Sequence, residues 1–106
     1  MSEPLDQLMA RLREEYLAEI PARLEEMQAA LDAFVAGAVP DGPPLVTLFH
    51  RLAGSAGAYG FAAVTRICRE MESFLAEEPP PTVVTRTAVQ TALTAIERAF
   101  SRGPTE

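Results

Sequence analysis

The sequence predicts an all-α protein, built as an antiparallel four-helix bundle with an additional N-terminal helix. Prolines divide the 106-residue chain into segments that are rich in Ala, Leu, Glu and Arg, which are strong helix formers. Within each segment, apolar residues recur at three- and four-residue spacing, the period of an amphipathic helix. No segment alternates apolar and polar residues in the way that a half-buried strand does.

Two predicted helices lie on either side of Pro21. The first begins near Pro4, which suits a first helical turn, and extends to about Ile20. Its apolar stripe consists of Leu5, Leu8, Met9, Leu12 and Tyr16. Because proline disfavours α geometry in the residue before it, we expect a break or a kink at Pro21. The second helix ends near Gly37. Its stripe consists of Leu24, Met27, Leu31 and Phe34.

The third predicted helix follows a loop at residues 39–44, where proline and glycine are concentrated. It runs from about Leu45 to Tyr59. Gly60 is placed to end it, because glycine adopts the left-handed conformation that follows many helices. The residues expected to face the core are Leu45, Leu48, Phe49, Leu52 and Ala56.

The fourth predicted helix runs from about Ala62 to Glu77 and ends before the three consecutive prolines 79–81. Its inward-facing residues are Val64, Ile67, Cys68, Met71, Phe74 and Leu75. Thr82 is suited to cap the N-terminus of the fifth helix. The stripe of that helix consists of Val89, Leu93, Ile96 and Phe100. Residues 101–106 are expected to form a frayed tail.

Composition excludes several classes of protein. The chain is 48% hydrophobic, but no apolar run approaches the roughly 20 residues that a membrane span requires. The N-terminus has no apolar segment of the kind found in secretory signals. A single cysteine, Cys68, excludes an internal disulfide and makes a reducing cytoplasm the expected location. Its place in an apolar stripe indicates a core residue.

The charge of the chain excludes further classes of protein. Nine arginines against fifteen acidic residues give a net charge of −6, and a net acidic chain is a poor binder of nucleic acid. The sequence has no lysine, and therefore no P-loop lysine and no Schiff base. Residues 1–41 carry nine acids and three arginines, whereas residues 42–76 carry two acids and three arginines. The middle third is the part of the chain that would not repel an anion.

The single histidine, His50, is the candidate reactive group. On a helical wheel it lies about 150° from the centre of the apolar arc, so it is expected to point to solvent. Ala53, Gly54 and Gly57 share its face, because they follow at positions i+3, i+4 and i+7. Each interior glycine costs about 1 kcal/mol relative to alanine. An imidazole on so bare a face suggests that another molecule approaches the ring closely.

An exposed imidazole is mostly neutral at pH 7, and its unprotonated nitrogen is a competent nucleophile. Acceptance of a phosphoryl group requires only that nitrogen if a partner supplies the donor and its Mg²⁺. The plainer interpretation is a surface histidine. For Gly57, the alternative is close helix packing. One histidine and one cysteine do not make a transition-metal site, so we expect no metal and no cofactor.

The segment around His50 resembles the signature of histidine phosphotransfer (HPt) domains. That signature is His-x-Leu-Lys-Gly-Ser/Ala, followed by a glycine some ten residues after the histidine. The matching residues here are His50, Arg51, Leu52, Ala53, Gly54 and Ser55, with Gly57 and Gly60 following. Phe49, the Gly60-Phe61 pair and the segment 72–75 also fit. The resemblance covers nearly the whole chain, so residues 1–106 are taken as one domain.

The resemblance implies a phosphoryl carrier without a nucleotide site of its own. His50 would accept the group from a receiver-domain aspartate or a kinase and pass it to a response-regulator aspartate. The implied partners are receiver domains of response regulators and hybrid histidine kinases, with Mg²⁺ on the receiver. The residues assigned to partner or phosphoryl binding are Phe49, Arg51, Ala53, Gly54, Ser55, Gly57 and Arg69. We expect a monomer with no membrane or nucleic-acid partner.

One residue departs from the family pattern. The usual lysine three residues after the histidine is Ala53 here. Arg51 is one possible substitute, although it projects about 100° away on the wheel, and Arg66 or Arg69 on the next helix is another. Ser55 fits the motif but is equally suited to bond back to the helix backbone.

Two other functions are compatible with the sequence. The missing lysine favours an adaptor that binds receivers or kinases without accepting phosphate. The second alternative is the phosphoacceptor region of a sensor kinase. That region usually has an acid directly after the histidine, where this chain has Arg51.

Overall fold

The computed structural model describes residues 4–39 and 41–104, and this part of the chain is helical without a β-strand. It contains four α-helices: α1 (Leu5–Val35), α2 (Leu45–Ala58), α3 (Ala62–Ala76) and α4 (Val83–Arg102). The all-α class is confirmed. Each helix packs against its neighbours in the chain, and α4 packs against α1, so the helices form a closed ring with α1 diagonal to α3 and α2 diagonal to α4.

Of the two alternatives predicted at Pro21, a break or a kink, the break is wrong. Helix α1 continues through this proline for 31 residues, so the separate N-terminal helix does not exist. A proline inside a helix removes one hydrogen bond, here to the carbonyl of Leu17, and costs about 3 kcal/mol. Tyr16, Ile20 and Met27 are buried on both sides of the proline. Because burying each such side chain stabilises the fold by about 1.5–3 kcal/mol, the continuous stripe outweighs the loss at Pro21.

All four helices contribute to one hydrophobic core. The largest fully buried side chains include Met27 and Leu31 of α1, Phe49 of α2 and Ile96 of α4. The predicted inward-facing residues of α2 and α4 are all buried. In α3, Val64 and Cys68 are buried, and the other four predicted residues pack against the core while partly exposed.

Aromatic rings fill the end of the core where α2 leads into α3. Tyr16 stacks on Tyr59 with 4.4 Å between ring centroids. Phe61 and Phe100 meet edge to face at 5.0 Å. Such pairs contribute about 0.5–1.5 kcal/mol beyond their buried area. The cluster ties the middle of α1 to the ends of α2 and α4.

The helix ends follow the predicted signals, with one exception. Gly60 has φ of +88° directly after α2, as expected of a glycine that ends a helix. Thr82 caps α4, since its hydroxyl accepts a hydrogen bond from the Thr85 amide at 3.4 Å. The frayed tail was placed too early, because Ser101 and Arg102 still belong to α4. Residues 105 and 106 lie outside the described part of the chain.

The pairing of α2 with α3 positions the candidate site. The Thr65 hydroxyl of α3 donates a hydrogen bond to the backbone carbonyl of Ala53 in α2 at 2.8 Å. Thr65, near the start of α3, thus contacts the second half of α2. Glu72, near the end of α3, contacts His50, which lies early in α2. The two helices are therefore antiparallel. No described helix is long and apolar enough to cross a membrane.

Candidate functional site

His50 lies in the second turn of α2 with 67% of its side chain exposed. The wheel-based prediction that the ring points to solvent is confirmed. Its Nδ1 lies 3.0 Å from Oε2 of Glu72 on α3. An ionised carboxylate only accepts hydrogen bonds, so the neutral ring carries its proton on Nδ1. Nε2 then presents an unprotonated lone pair toward solvent, which is the arrangement that a nucleophilic nitrogen requires.

Glu72 connects the histidine to a cation. Its other oxygen, Oε1, accepts a hydrogen bond from Nη1 of Arg69 at 3.2 Å. Glu72 is the more sheltered member of the group, with 22% of its side chain exposed, whereas Arg69 is 54% exposed. At 3.2 Å, and with Arg69 more than half exposed, this pair orients the carboxylate but contributes little to stability. One oxygen of the Glu72 carboxylate therefore contacts the imidazole of His50, and the other contacts the guanidinium of Arg69.

The two glycines near His50 have different surroundings. A Cβ added to Gly54, one turn after the histidine, would meet nothing within 4 Å, so this surface is open. A Cβ on Gly57 would lie 3.1 Å from Oγ1 of Thr65, which is tighter than ordinary van der Waals contact. Gly54 thus leaves space beside the ring. For Gly57, the structure supports the packing interpretation.

The sequence comparison agrees with this geometry. Residues 11–99 match the family model described as Hpt domain, and this range includes His50, Arg69 and Glu72. The chain belongs to the Hpt domain family. Hpt domains are phosphocarriers of two-component phosphorelays that work with receiver domains and kinases. No curated protein and no solved structure matched the chain.

Two residues assigned to partner or phosphoryl binding are buried in this Hpt domain. Phe49 is 0% exposed and Ala53 is 1% exposed. Phe49 is part of the predicted core stripe, and its additional assignment to a contact surface is wrong. Ala53 was placed on the open face at i+3, but α3 covers it, as the bond from Thr65 to its carbonyl shows. A side chain at position 53 therefore starts inside the helix interface.

Ser55 and Arg51 face α1 instead of the histidine ring. The Ser55 hydroxyl donates to the carbonyl of Leu52 at 3.3 Å and lies 2.8 Å from the hydroxyl of Tyr16. Burial raises the pKa of Tyr16, so its hydroxyl stays protonated and polar. Arg51 lines a cleft between α1 and α2. The structure brings neither residue to the His50 ring.

Glu72 is a residue of the site that the sequence pattern alone does not reveal. Its segment fits the family, but 22 residues separate it from His50, and only the register between α2 and α3 brings the two together. Arg69 was named, and its contact with Glu72 places it in the same group. Arg66, the other arginine considered on α3, is exposed and forms no hydrogen bond or ion pair with His50, Arg69 or Glu72.

The described residues of this Hpt domain give little support for metal binding or for a reactive thiol. They contain no cluster of three or more His, Cys, Asp or Glu side chains that could hold a metal ion. Burial raises the pKa of Cys68 to about 12, and the charge of Glu72 adds to the shift. The thiol is therefore protonated at neutral pH, which agrees with the predicted core role.

The contrast between the two glycines predicts different effects of the same substitution. Gly54→Ala should raise the free energy of unfolding by about 1 kcal/mol, because alanine favours helix and nothing obstructs its methyl group. It should also slow phosphoryl transfer from a receiver by about tenfold or more. The added methyl group would displace the docked receiver, so its phosphoryl group would no longer align with Nε2. Gly57→Ala should gain less stability, because its methyl group presses on Thr65.

Chemical denaturation and receiver-dependent transfer rates measure these effects. Phosphorylation by phosphoramidate, a small donor that needs no docking surface, provides the control. It should proceed at the wild-type rate in Gly54→Ala. A Gly54→Ala protein that accepts the group from a receiver as fast as wild type would show that this surface is not used for close approach.

Proposed function

We propose that this Hpt domain carries a phosphoryl group on Nε2 of His50 between aspartates of receiver domains, or from a kinase to a receiver. The observation that carries the proposal is the exposed ring of His50, whose Nδ1 is held by Glu72 so that Nε2 is left unprotonated. The contact fixes the tautomer in which Nε2 is the nucleophilic nitrogen.

In the proposed reaction, the lone pair of Nε2 attacks the phosphorus of an aspartyl phosphate. The bond between phosphorus and the aspartate oxygen breaks, and the carboxylate leaves with that electron pair. The Nδ1 proton stays in place, so positive charge develops on the ring. The carboxylate of Glu72, 3.0 Å away, stabilises that charge. Mg²⁺ expected on the receiver would neutralise the transferring group, and the return reaction reverses each step.

Arg69 is the proposed phosphoryl-binding cation. A phosphoryl group on Nε2 adds up to two negative charges and three acceptor oxygens beside the ring. The lysine of the family pattern is absent, and position 53 is buried. Arg69 is half-exposed, and the carboxylate that it contacts also contacts the imidazole. Its guanidinium fits the geometry of a phosphate, to which it can donate two hydrogen bonds at once.

Receiver domains are the proposed partners. The open face consists of exposed small residues one and two turns after His50, Gly54 and Ala58, whereas Gly57 packs against Thr65. Acids outnumber arginines by six in residues 1–41, whereas arginines outnumber acids by one in residues 42–76. This charge balance favours approach of an acidic receiver site to α2 and α3. The monomeric state, the cytoplasmic location and the absence of cofactor, nucleic-acid and membrane partners stay predictions.

The second candidate is an adaptor that binds receivers without accepting the group. The observation that favours it is the buried alanine at position 53, where the family usually has a lysine. An adaptor binds receivers equally well with and without His50 and never becomes labelled. The two functions are therefore separated by one substitution.

Replacement of His50 tests the acceptor directly. Wild-type protein should take up label from a panel of phosphorylated receiver domains, and the label should be acid-labile and alkali-stable. His50→Gln should take up none, because the amide has no nucleophilic lone pair. Arg51→Ala is the matched control, since this exposed neighbour faces α1, and it should be labelled normally. Label that persists in His50→Gln would contradict the assignment, and no label in folded wild type would favour the adaptor.

Replacement of Glu72 tests the carboxylate. Glu72→Ala should lower the rate of phosphorylation by phosphoramidate by about 10- to 100-fold, because the ring loses its tautomer and its compensating charge. Glu72→Gln should lie between this variant and wild type, since its amide oxygen still accepts from Nδ1–H but is neutral. Glu70→Ala removes an exposed carboxylate from the same helix and should change nothing. Equal rates in wild type and Glu72→Ala would overturn the role.

Replacement of Arg69 tests the cation. In equilibrium with a phosphorylated receiver, Arg69→Ala should lower the ratio of phosphorylated to free His50 by about tenfold, the size expected for one charge-assisted hydrogen bond. Arg69→Lys should restore part of the loss, and Arg66→Ala serves as the control.

Because Arg69 also contacts Glu72, the comparison is repeated in Glu72→Ala. A direct contact with the phosphoryl group predicts that removal of Arg69 still lowers the ratio in this background. If the effect disappears there, Arg69 acts only by holding Glu72.

A further inference from the structure

A second surface lies between α1 and α4, on the side of the helix ring opposite the α2–α3 pair that holds His50. It is an open groove of about 500 Å³. Its lining consists of Leu17, Ile20, Pro21, Leu24, Glu25 and Gln28 of α1, and of Gln90, Leu93, Thr94, Glu97, Phe100 and Ser101 of α4. None of these residues takes part in the His50 site.

The floor of the groove is apolar. Ile20, Leu93 and Phe100 are buried beneath it, whereas Leu17 and Leu24 pack against the core and keep part of their side chains exposed. Pro21 has no amide hydrogen, so the carbonyl of Leu17 lacks the donor that a helix normally supplies four residues later. The floor of the groove therefore offers apolar surface to an occupant.

The ends of the groove set the size of an occupant. On one side, Gln28 and Gln90 close it with a reciprocal pair of amide hydrogen bonds at 2.8 and 3.0 Å. On the other side, it ends at Leu17 and Ser101. Residues 17–28 of a helix span about 17 Å at 1.5 Å per residue. This length accommodates about three turns of one added helix.

The charge of the walls sets the chemistry of that occupant. Glu25 on α1 and Glu97 on α4 face the groove from opposite walls, and the lining contains no arginine. Neither carboxylate forms an ion pair with a residue in the described part of the chain. The neighbouring cations Arg23 and Arg86 contact Glu19 and Asp32 instead. Both acids are therefore available to a positively charged partner.

We propose that the α1–α4 groove binds one amphipathic helix of a partner protein, with its apolar stripe on the floor and basic residues beside Glu25 and Glu97. Helices dock into grooves in this way through apolar anchors at three- and four-residue spacing. The groove takes only about three helical turns, so we expect a transient complex with a Kd on the order of micromolar. Because the groove faces away from His50, a helix bound there leaves Nε2 open to a receiver.

A synthetic peptide tests the groove. The probe is a fluorescein-labelled helical peptide of about 14 residues, with leucines at three- and four-residue spacing and lysines flanking them. Fluorescence anisotropy should show micromolar binding to wild type, and binding should weaken by about tenfold in the variant Glu25→Lys/Glu97→Lys. Thr94→Trp, which fills the groove from an exposed position, should abolish binding. Amide chemical shifts should move in residues 17–28 and 90–101.

Matched controls separate the groove from the general acidity of the chain. Glu70→Lys/Glu77→Lys changes the net charge equally on exposed positions outside the groove and should leave binding within twofold of wild type. A peptide with glutamates in place of the lysines should not bind. Equal weakening in both double variants, or equal binding of both peptides, would overturn the proposal. Self-association of the chain that Thr94→Trp abolishes would assign the groove to a second copy and overturn it as well.

Phosphorylation of His50 by phosphoramidate is measured in the same groove variants. It should match wild type, since the groove shares no residue with the site. The experiments can therefore overturn the groove proposal without overturning the phosphotransfer proposal, and the reverse.

Discussion

The close contact between α2 and α3 determines the geometry of the site. Gly57 has no side chain at the point where Thr65 lies against α2, and the Thr65 hydroxyl bonds the Ala53 carbonyl there. This contact fixes how far apart the two helices lie and how they are aligned along their axes. Two turns away, the same alignment brings Glu72 to within 3.0 Å of His50 Nδ1. A shift of one helical residue, about 1.5 Å, would be large compared with the tolerance of a hydrogen bond.

Much of the fold follows from local sequence signals, and the exception is instructive. The stripe of α2, the glycine at position 60 and the cap at Thr82 each depend on residues within one or two turns, so the sequence contains all that decides them. Pro21 is different because two effects compete there. The local preference of proline ends a helix, but the burial of Ile20 and Met27 depends on partners far away in the chain. The second effect prevails, and a local pattern does not show its magnitude.

The candidate site also contains some residues that local signals place correctly and others that depend on packing between helices. A helical wheel gives the direction of a side chain relative to its own helix, which is why His50 and Gly54 were placed correctly. It does not say which neighbouring helix covers a flank. Ala53 lies on a flank of α2 and was misplaced because α3 covers it. For Ser55, the alternative of a bond back to the helix backbone is confirmed, and its hydroxyl also contacts Tyr16 of α1. Glu72 had no assigned role because its meeting with His50 requires the register of two helices.

The absence of the family lysine is consistent with this packing. A lysine at position 53 would begin between α2 and α3, where Ala53 is 1% exposed, and its ammonium would have to reach solvent past Thr65. In the proposed site, the cation comes from the opposite helix. Arg69 lies near the carboxylate that holds the ring, without competing for space in the interface. Two features then belong to one arrangement. They are the close contact between Gly57 and Thr65 and the position of the cation on α3 instead of α2. Small residues on α2 allow tight packing, and α3 supplies both the carboxylate and the cation.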